Sequence, residues 1–334
     1  MNADDDWERA QRLVATGAGG TLDAFVLRRD KELVFSPDDR AVIGYRAVLG
    51  VGLASGDPVG DPEAFPAVVG AFVQRCDDAG WRPAVYGALA EHAPLFEAAG
   101  MRTFYVGDEA VIDVERFSLS GGRMRAVRQA DRRTRRRGVT VEWHDERDLD
   151  PALREELRAI AVAHRNGRRE FGFSMSLGDL LGDRFPHNRI VVARSAQGDP
   201  LAFQRYIVSL ARGALSLDGM RRANRGLSGL NERLIVETVD WARAHDVAEV
   251  SLNFAAFRRM MEPGDKGRVA GMAAAVVRAV DGRLGIQLDS LRQFNRKFRP
   301  RWVPRIVAYR SATDLPRIGV AAMSAEGFLP FDSG

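Results

Sequence analysis

One cysteine, Cys76, stands in 334 residues, which excludes an intramolecular disulfide framework and any zinc site built from several thiolates. Lysine is almost as scarce: Lys31, Lys266 and Lys297 are the only three, so arginine carries nearly all the basic charge. The five histidines form no metal-binding pattern. His164-Arg165-Asn166 and His187-Asn188 lack ligand spacing, and His92, His144 and His245 read as helix-end or surface residues. No apolar run approaches the roughly 18 to 20 residues that a membrane-spanning helix needs. The start, Met1 to Arg12, is acidic and polar, unlike a secretory leader, so the expectation is a cytoplasmic, soluble chain with no transmembrane segment. Nor is there a large excess of one charge: the formal total is +4.

What is present is the material of a packed α/β protein. Hydrophobic residues make up 46% of the chain, and its length suits two domains. Alternation and turn residues predict strands over Lys31–Ser36, Ala41–Leu49 and Val51–Ser55, a helix over Pro62–Ala79, a strand at Pro83–Tyr86, a helix near Glu91–Ala99, and extended chain through Asp113. Ser55-Gly56-Asp57-Pro58-Val59-Gly60 reads as a loop that turns the chain. A second series follows: a helix over Pro151–His164, strands at Arg189–Ala193, Leu201–Ser209 and Gly213–Asp218, a helix over Leu230–Ala244 and a strand at Ala248–Phe254. Ser195-Ala196-Gln197-Gly198-Asp199 is hairpin chemistry. The repeated order predicts a duplicated unit with mixed sheets, one module over residues 1–145 and a second over 146–334.

Between the halves, Gly122 to Arg137 carries eight arginines against one aspartate. As a helix over about 120–137 it would seat Met124, Val127 and Ala130 or Asp131 on the protein and leave the arginines outward. Such a face suits phosphates, with binding that weakens steeply in salt. It equally suits an anionic membrane surface or plain solvent. Arg123, Arg125, Arg128, Arg132, Arg135 and Arg136 are the candidate RNA contacts.

The densest polar constellation is Asp218-Gly219-Met220-Arg221-Arg222, followed by Leu227-Ser228-Gly229-Leu230-Asn231-Glu232 at a helix start. A strand end, a glycine-bearing loop and a helix N-terminus together form an anion-binding crevice; the same residues also suit an ordinary capped turn. Downstream lie Ser251-Leu252-Asn253-Phe254 and a basic, aromatic stretch from Arg292 to Trp302. Lys297 stands out there as an amine kept where arginine is the default cation.

Several strings taken together resemble the catalytic domain of the phosphatidylglycerol lysyltransferase family, also called the aminoacyl-phosphatidylglycerol synthase or multiple-peptide-resistance group. These are Ala54-Ser55-Gly56-Asp57-Pro58-Val59-Gly60, Met124 to Ala130, Phe173-Ser174-Met175, Asp218 to Arg222, Ser251 to Phe254, and Phe294 to Pro300. They run in order from about residue 30 to Glu326-Gly327-Phe328-Leu329-Pro330. The resemblance implies two acetyltransferase-like modules and transfer of lysine or alanine from aminoacyl-tRNA to a lipid hydroxyl. It implies neither metal nor acetyl-CoA, the aminoacyl-tRNA itself being the donor.

Carried across, the family's Asp-x-x-Arg signature falls on Asp218 and Arg221, the acidic helix position on Glu232 and the late basic position on Lys297. Asp218 or Glu232 would orient or deprotonate the attacking group or the aminoacyl amine, and Arg221 and Lys297 would hold negative charge. Arg222, Ser228, Gly229, Asn231, Asn253 and Arg299 are the candidate substrate contacts. Where the family usually has Ala-Pro-Asn-Gly, this chain has Gly226-Leu227-Ser228-Gly229, which bears on the fit of donor or acceptor. Family members usually carry many transmembrane helices before this domain. The expectation is therefore an excised or stand-alone lipid enzyme with peripheral membrane contact, or a relative that aminoacylates a soluble small molecule. An acetyl-CoA-dependent acetyltransferase and a non-enzymatic RNA- or membrane-binding protein remain the rival readings.

Overall fold

The computed structural model describes residues 3–17, 20–165, 176–178, 180–182, 188–209, 211–223, 227–256 and 291–327. Lys266, Phe173-Ser174-Met175, His187, Gly226 and the terminal Phe328-Leu329-Pro330 lie outside them.

The first half opens with α1 (Ala3–Thr16) and a 3-10 turn, Asp23–Leu27. Strands β1 (Glu32–Phe35), β2 (Ala41–Val48), β3 (Val51–Ser55) and β4 (Val59–Gly60) follow. The β2–β3 hairpin turns through Leu49 and Gly50, both at positive φ (51° and 74°), the twist a two-residue hairpin needs. Asp61 then accepts the Glu63 N–H, and Pro62 and Pro66 begin the helical path into α2 (Phe65–Asp78). Next come β5 (Arg82–Leu89), α3 (Ala93–Ala98) and the twelve-residue β6 (Arg102–Asp113).

The arginine helix α4 (Arg125–Arg136) leads to β7 (Thr140–Asp145), α5 (Pro151–Arg165), β8 (Arg189–Arg194), β9 (Pro200–Ser209), β10 (Ala214–Arg222), α6 (Leu230–Ala244) and β11 (Glu249–Ala256). The last described elements are β12 (Arg301–Tyr309) and α7 (Leu315–Ala325).

The strands form one mixed sheet in the order β1-β2-β3-β5-β12-β6-β11-β10-β9-β8-β7, with β4 paired to β2. The mixed α/β expectation holds, and a repeated unit is visible in the pairing. Antiparallel β2–β3 continues through α2 to β5, parallel to β3; antiparallel β9–β10 continues through α6 to β11, parallel to β10. The halves are joined where β6 pairs with β11. β12, from the far end of the chain, inserts between β5 and β6, so residues 301–325 lie in the sheet half built mainly by residues 32–113.

Alternation along the strands sends neighbouring residues to opposite faces. Leu53, Ala84, Tyr86 and Val307 pack with α1 and α7, whereas Ala54, Val85, Ile306 and Ala308 pack with α2 and α3. In the second half, Tyr206, Leu215 and Val250 lie with α4 and α6, and Ile190, Val192 and Phe203 lie under α5.

Candidate functional site

Three strands near the middle of the sheet break register: β10 between Leu217 and Gly219, β11 between Ser251 and Phe254, and β12 between Arg305 and Ile306. A bulge re-aims the side chain it carries: the first two carry Asp218 and Asn253, whereas at the third the extra residue is Val106 of β6, opposite Arg305 and Ile306.

On β10 the bulged residue is Asp218. Its carboxylate accepts hydrogen bonds from Arg205 Nη1 and from the Leu177 backbone N–H, both at 3.0 Å. Arg205 Nε donates to Glu146 at 3.0 Å, Nη1 also reaches the Gly178 carbonyl at 2.9 Å, and Asn188 donates to the same Glu146 oxygen at 2.9 Å. The side chains of Arg205 and Glu146 are fully buried, and that of Asp218 is 2% exposed. Burial pushes the Glu146 carboxyl up, against the opposing charge of Arg205. Asp218 is thus held by two donors, one a buried guanidinium and one a backbone N–H. Arg221 lies next along the strand, its Nη1 donating to the Met220 carbonyl at 3.0 Å and bordering the open side of Gly219 with Leu180.

On β11 the bulge is clamped by Asn253, at φ +75°. Its Nδ2 donates to the Leu217 carbonyl at 2.9 Å, and its Oδ1 accepts the Phe254 N–H at 2.9 Å. Asn253 therefore ties one bulge to the other and has a scaffold part in the site.

Glu232 and Lys297 are brought together: Nζ to Oε1 is 2.8 Å, with the lysine 39% and the glutamate 15% exposed. Glu232 lies in the first turn of α6, where the helix dipole favours a carboxylate. Nζ also stands 5.0 Å from the Phe294 ring centre. Asn231 and Ser228 flank this pair. The Asn231 carbonyl accepts from Gln204, its Oδ1 is buried without a partner among the described residues, and the Ser228 carbonyl accepts from Arg133 at 3.4 Å. Gly229 is required at φ +96°, because a Cβ there would stand 3.0 Å from Ala130 Cβ and 3.1 Å from Arg133 Nη2. Arg222 is exposed at the end of β10, and Arg299 is exposed at φ +54°. The expected residues thus form two groups, Asp218 with Arg221 and Glu232 with Lys297. Asn253 and Asn295, which donates to the Leu252 carbonyl at 3.3 Å, connect the strands between them.

Helix α4 buries Met124, Val127, Ala130, Asp131 and Thr134, the stripe the spacing predicted. Asp131 accepts from Arg233 of α6 at 2.7 Å, and Arg135 bridges Asp131 and Glu237 at 3.0 and 2.8 Å. Of the six arginines expected to face RNA, Arg135 is therefore engaged in this link. Arg128 donates to the Leu119 and Gly121 carbonyls. Arg123, Arg125, Arg132 and Arg136 are exposed, with no ion pair among the described residues.

The third break lies beside a cluster that the motifs did not reveal. Arg305 donates to Glu109, to Asp57 at 3.0 Å and to the Gly87 carbonyl at 3.2 Å. Ser251 donates to Glu109 at 2.5 Å, and Thr21 also donates to it. Asp57 further accepts from the Leu89 N–H at 2.9 Å and contacts His92 Nδ1 at 2.7 Å. Burial alone would push Glu109 up, but the Arg305 charge and these hydrogen bonds hold it below the usual range; the bond to Asp57 raises His92. Asp57 thus does more than turn the chain, and His92 is half-buried in an ion pair. The available signal was a charged residue inside an apolar strand, as with Arg205, Glu109 and Arg305: a buried charge needs a partner.

Asp23 lines a cleft of about 350 Å³ beside Asp57 and His92. Burial, then the Asp57 charge, pushes its carboxyl up to about 8. The folded state therefore keeps a proton that the unfolded chain releases near pH 4, so this group's contribution to stability falls as pH rises from about 4 to 8. Asp23→Asn is expected to gain stability over the parent protein by roughly 2–4 kcal/mol more at pH 8 than at pH 5. Urea unfolding at the two values checks it; a pH-independent difference would count against a protonated Asp23.

A protein named lysylphosphatidylglycerol biosynthesis bifunctional protein LysX from Mycolicibacterium gilvum is 41% identical over 315 residues, covering 94% of this chain and 28% of that protein. One of the same name from Nocardia farcinica is 41% identical over 315 residues, with 93% and 28% covered. The chain thus spans less than a third of the length of these relatives. Among solved structures, the C-terminal domain of a protein designated a lysylphosphatidylglycerol synthetase from Agrobacterium fabrum superimposes with a TM-score of 0.83 at 26% identity, covering 98% of this chain and 99% of that one. L-PGS from Bacillus licheniformis shares the fold at a TM-score of 0.83 and 24% identity, with 96% of each chain covered. Residues 11–309 match the family model described as phosphatidylglycerol lysyltransferase, C-terminal, and by that match the chain belongs to the phosphatidylglycerol lysyltransferase family through its C-terminal domain.

Proposed function

We propose that this domain transfers an aminoacyl group, lysyl foremost, from aminoacyl-tRNA to a hydroxyl of phosphatidylglycerol. The family match over residues 11–309 carries the reading. The two β-β-α-β units are read as acetyltransferase-like modules divided near residue 145, except that residues 301–325 complete the first one. No described helix is long and apolar enough to cross a membrane.

The donor ester is already activated, so the protein has to align the acceptor and stabilise charge as it develops. The acceptor oxygen attacks the aminoacyl carbonyl, the ester bond to the tRNA ribose breaks, and the acceptor proton ends on the departing ribose oxygen. No metal or acetyl-CoA enters this scheme. Lys297 supplies positive charge near the developing oxyanion while Glu232 orients its amine. Asp218 acts as a positioning residue through Arg205, and Arg221 and Arg222 face the anionic parts of the substrates.

The direct test offers radiolabelled aminoacyl-tRNAs with phosphatidylglycerol vesicles and follows label into the organic phase. Label in lipid supports the reading. Release only with soluble metabolites moves the acceptor to a small molecule, and no release removes tRNA-dependent transfer. In a tRNA-binding titration across a salt series, Arg125→Ala with Arg132→Ala and Arg136→Ala is expected to weaken tRNA binding about 10- to 100-fold and to lower the salt slope by about 0.7–0.9 per lost phosphate contact. An unchanged slope would take α4 out of the RNA path.

A further inference from the structure

At the N-terminal end of α4 lies a cleft of about 500 Å³, lined in part by Met124 and by Phe298 to Pro300. One wall is the loop after β6, with Arg116 and Phe117; the other is the turn into β12, with Phe298, Arg299 and Arg301. Three guanidinium groups line it against the single carboxylate of Asp113. Two of the three are tethered: Arg301 pairs with Glu249, outside the cleft, at 2.6 Å, and Arg116 pairs with Asp113, within its lining, at 3.4 Å while its side chain stays 86% exposed. Arg299 has no side-chain partner among the described residues, and it is held at φ +54°, a conformation that costs a non-glycine residue energy. The loop wall is held in place, because Arg128 reaches back from α4 to the Leu119 and Gly121 carbonyls. Met124, which lines the cleft, is the residue on which α4 begins, so the exposed Arg123 and Arg125 adjoin its rim.

We propose that this cleft binds an unpaired nucleotide of the RNA, with its phosphate between Arg116 and Arg299 and its base against Phe117. The proposal rests on the tRNA reading above and deepens it. The volume lies within the range of small-molecule sites. Arginines around a concavity with an aromatic wall suit a phosphate joined to a flat ring. A bilayer surface presents its phosphates to a convex or flat basic face, and paired bases stay stacked inside a helix; neither fills a recess of this shape.

The test measures binding of the whole chain to two fluorescent RNAs, a single-stranded pentamer and a blunt hairpin, across a salt series. Arg299→Gly removes the guanidinium and relaxes the backbone, so it is not expected to impair folding. It should weaken pentamer binding about tenfold and lower its salt slope by about 0.7. Phe117→Ala should weaken pentamer binding about tenfold with an unchanged slope. Neither should alter hairpin binding, which the α4 triple substitution should weaken.

Parent-like pentamer binding by both variants overturns the cleft site while the α4 result still stands for tRNA. Equal losses on both RNAs for Arg299→Gly, with none for Phe117→Ala, reduce the cleft to an ordinary phosphate contact and also overturn it. Loss of phosphatidylglycerol-vesicle sedimentation in Arg299→Gly with RNA affinity intact would assign the arginines to lipid instead. If the parent chain binds neither RNA, the tRNA reading falls first.

Discussion

Replacing Lys297 by methionine is expected to cut aminoacyl transfer by about 10²–10³-fold, the loss typical when one preorganised donor to a developing oxyanion is removed. The lysine amine lies 2.8 Å from Glu232 in the first turn of α6 and remains 39% exposed. A cation so placed is fixed in position yet still reachable, whereas a fully buried one would serve only the fold. Exposed ion pairs contribute about 0–1 kcal/mol to stability, so the variant should unfold almost with the parent while activity collapses.

The exchange Glu232→Lys with Lys297→Glu separates the two roles. If the pair merely bridges α6 to the 291–299 segment, the swapped pair restores activity, less a dipole penalty of about 0.3–1 kcal/mol at the helix start. If the amine serves the chemistry, the swapped protein folds and stays inactive. Parent-level kcat in Lys297→Met would remove the residue from the mechanism.

The largest stability effect is expected at Arg305. Arg305→Met leaves Glu109 and Asp57, each under 5% exposed, without their shared cation, and Asp23 lies close to Asp57. Breaking a buried pair by removing one member costs about 3–5 kcal/mol, because the remaining charge is neither solvated nor compensated. The damage would fall where β12 joins β5 to β6, the place at which the end of the chain completes the first half of the sheet. The urea midpoint of the single variant should drop accordingly, and Glu109→Gln added to it should recover part of the loss by removing one stranded carboxylate. A loss below about 1 kcal/mol would show that water or local rearrangement satisfies the cluster.

The α4 stripe of Met124, Val127, Ala130 and Asp131 was legible because helical periodicity is a local property, and the predicted strands from Ala41 to Phe254 followed from alternation and turn residues for the same reason. Glu232 and Lys297 were singled out separately through the family resemblance, but their pairing was not legible: 65 residues separate the two, and no local pattern brings a helix start to a distant basic stretch. β7 was read as part of the boundary, and of β12 only Arg301 and Trp302 were read, as the end of a basic stretch. Trp143 and Val303 sit among charged neighbours that mask the alternation, and what makes these segments strands is the partner each finds.

By itself the sequence determined the element types of the two halves, the outward arginine face of α4, the scarcity of thiols and amines, and the family. Tertiary structure alone decided that β12 enters the first half of the sheet, that Asp218 accepts from Arg205 and the Leu177 N–H, and that Arg305 gathers Glu109, Asp57 and, through Asp57, His92. The physical reason is range. Periodicity and caps act over a few residues, whereas a buried charge is settled by whichever opposite charge the fold brings within about 3 Å, here from as far as 248 residues away along the chain.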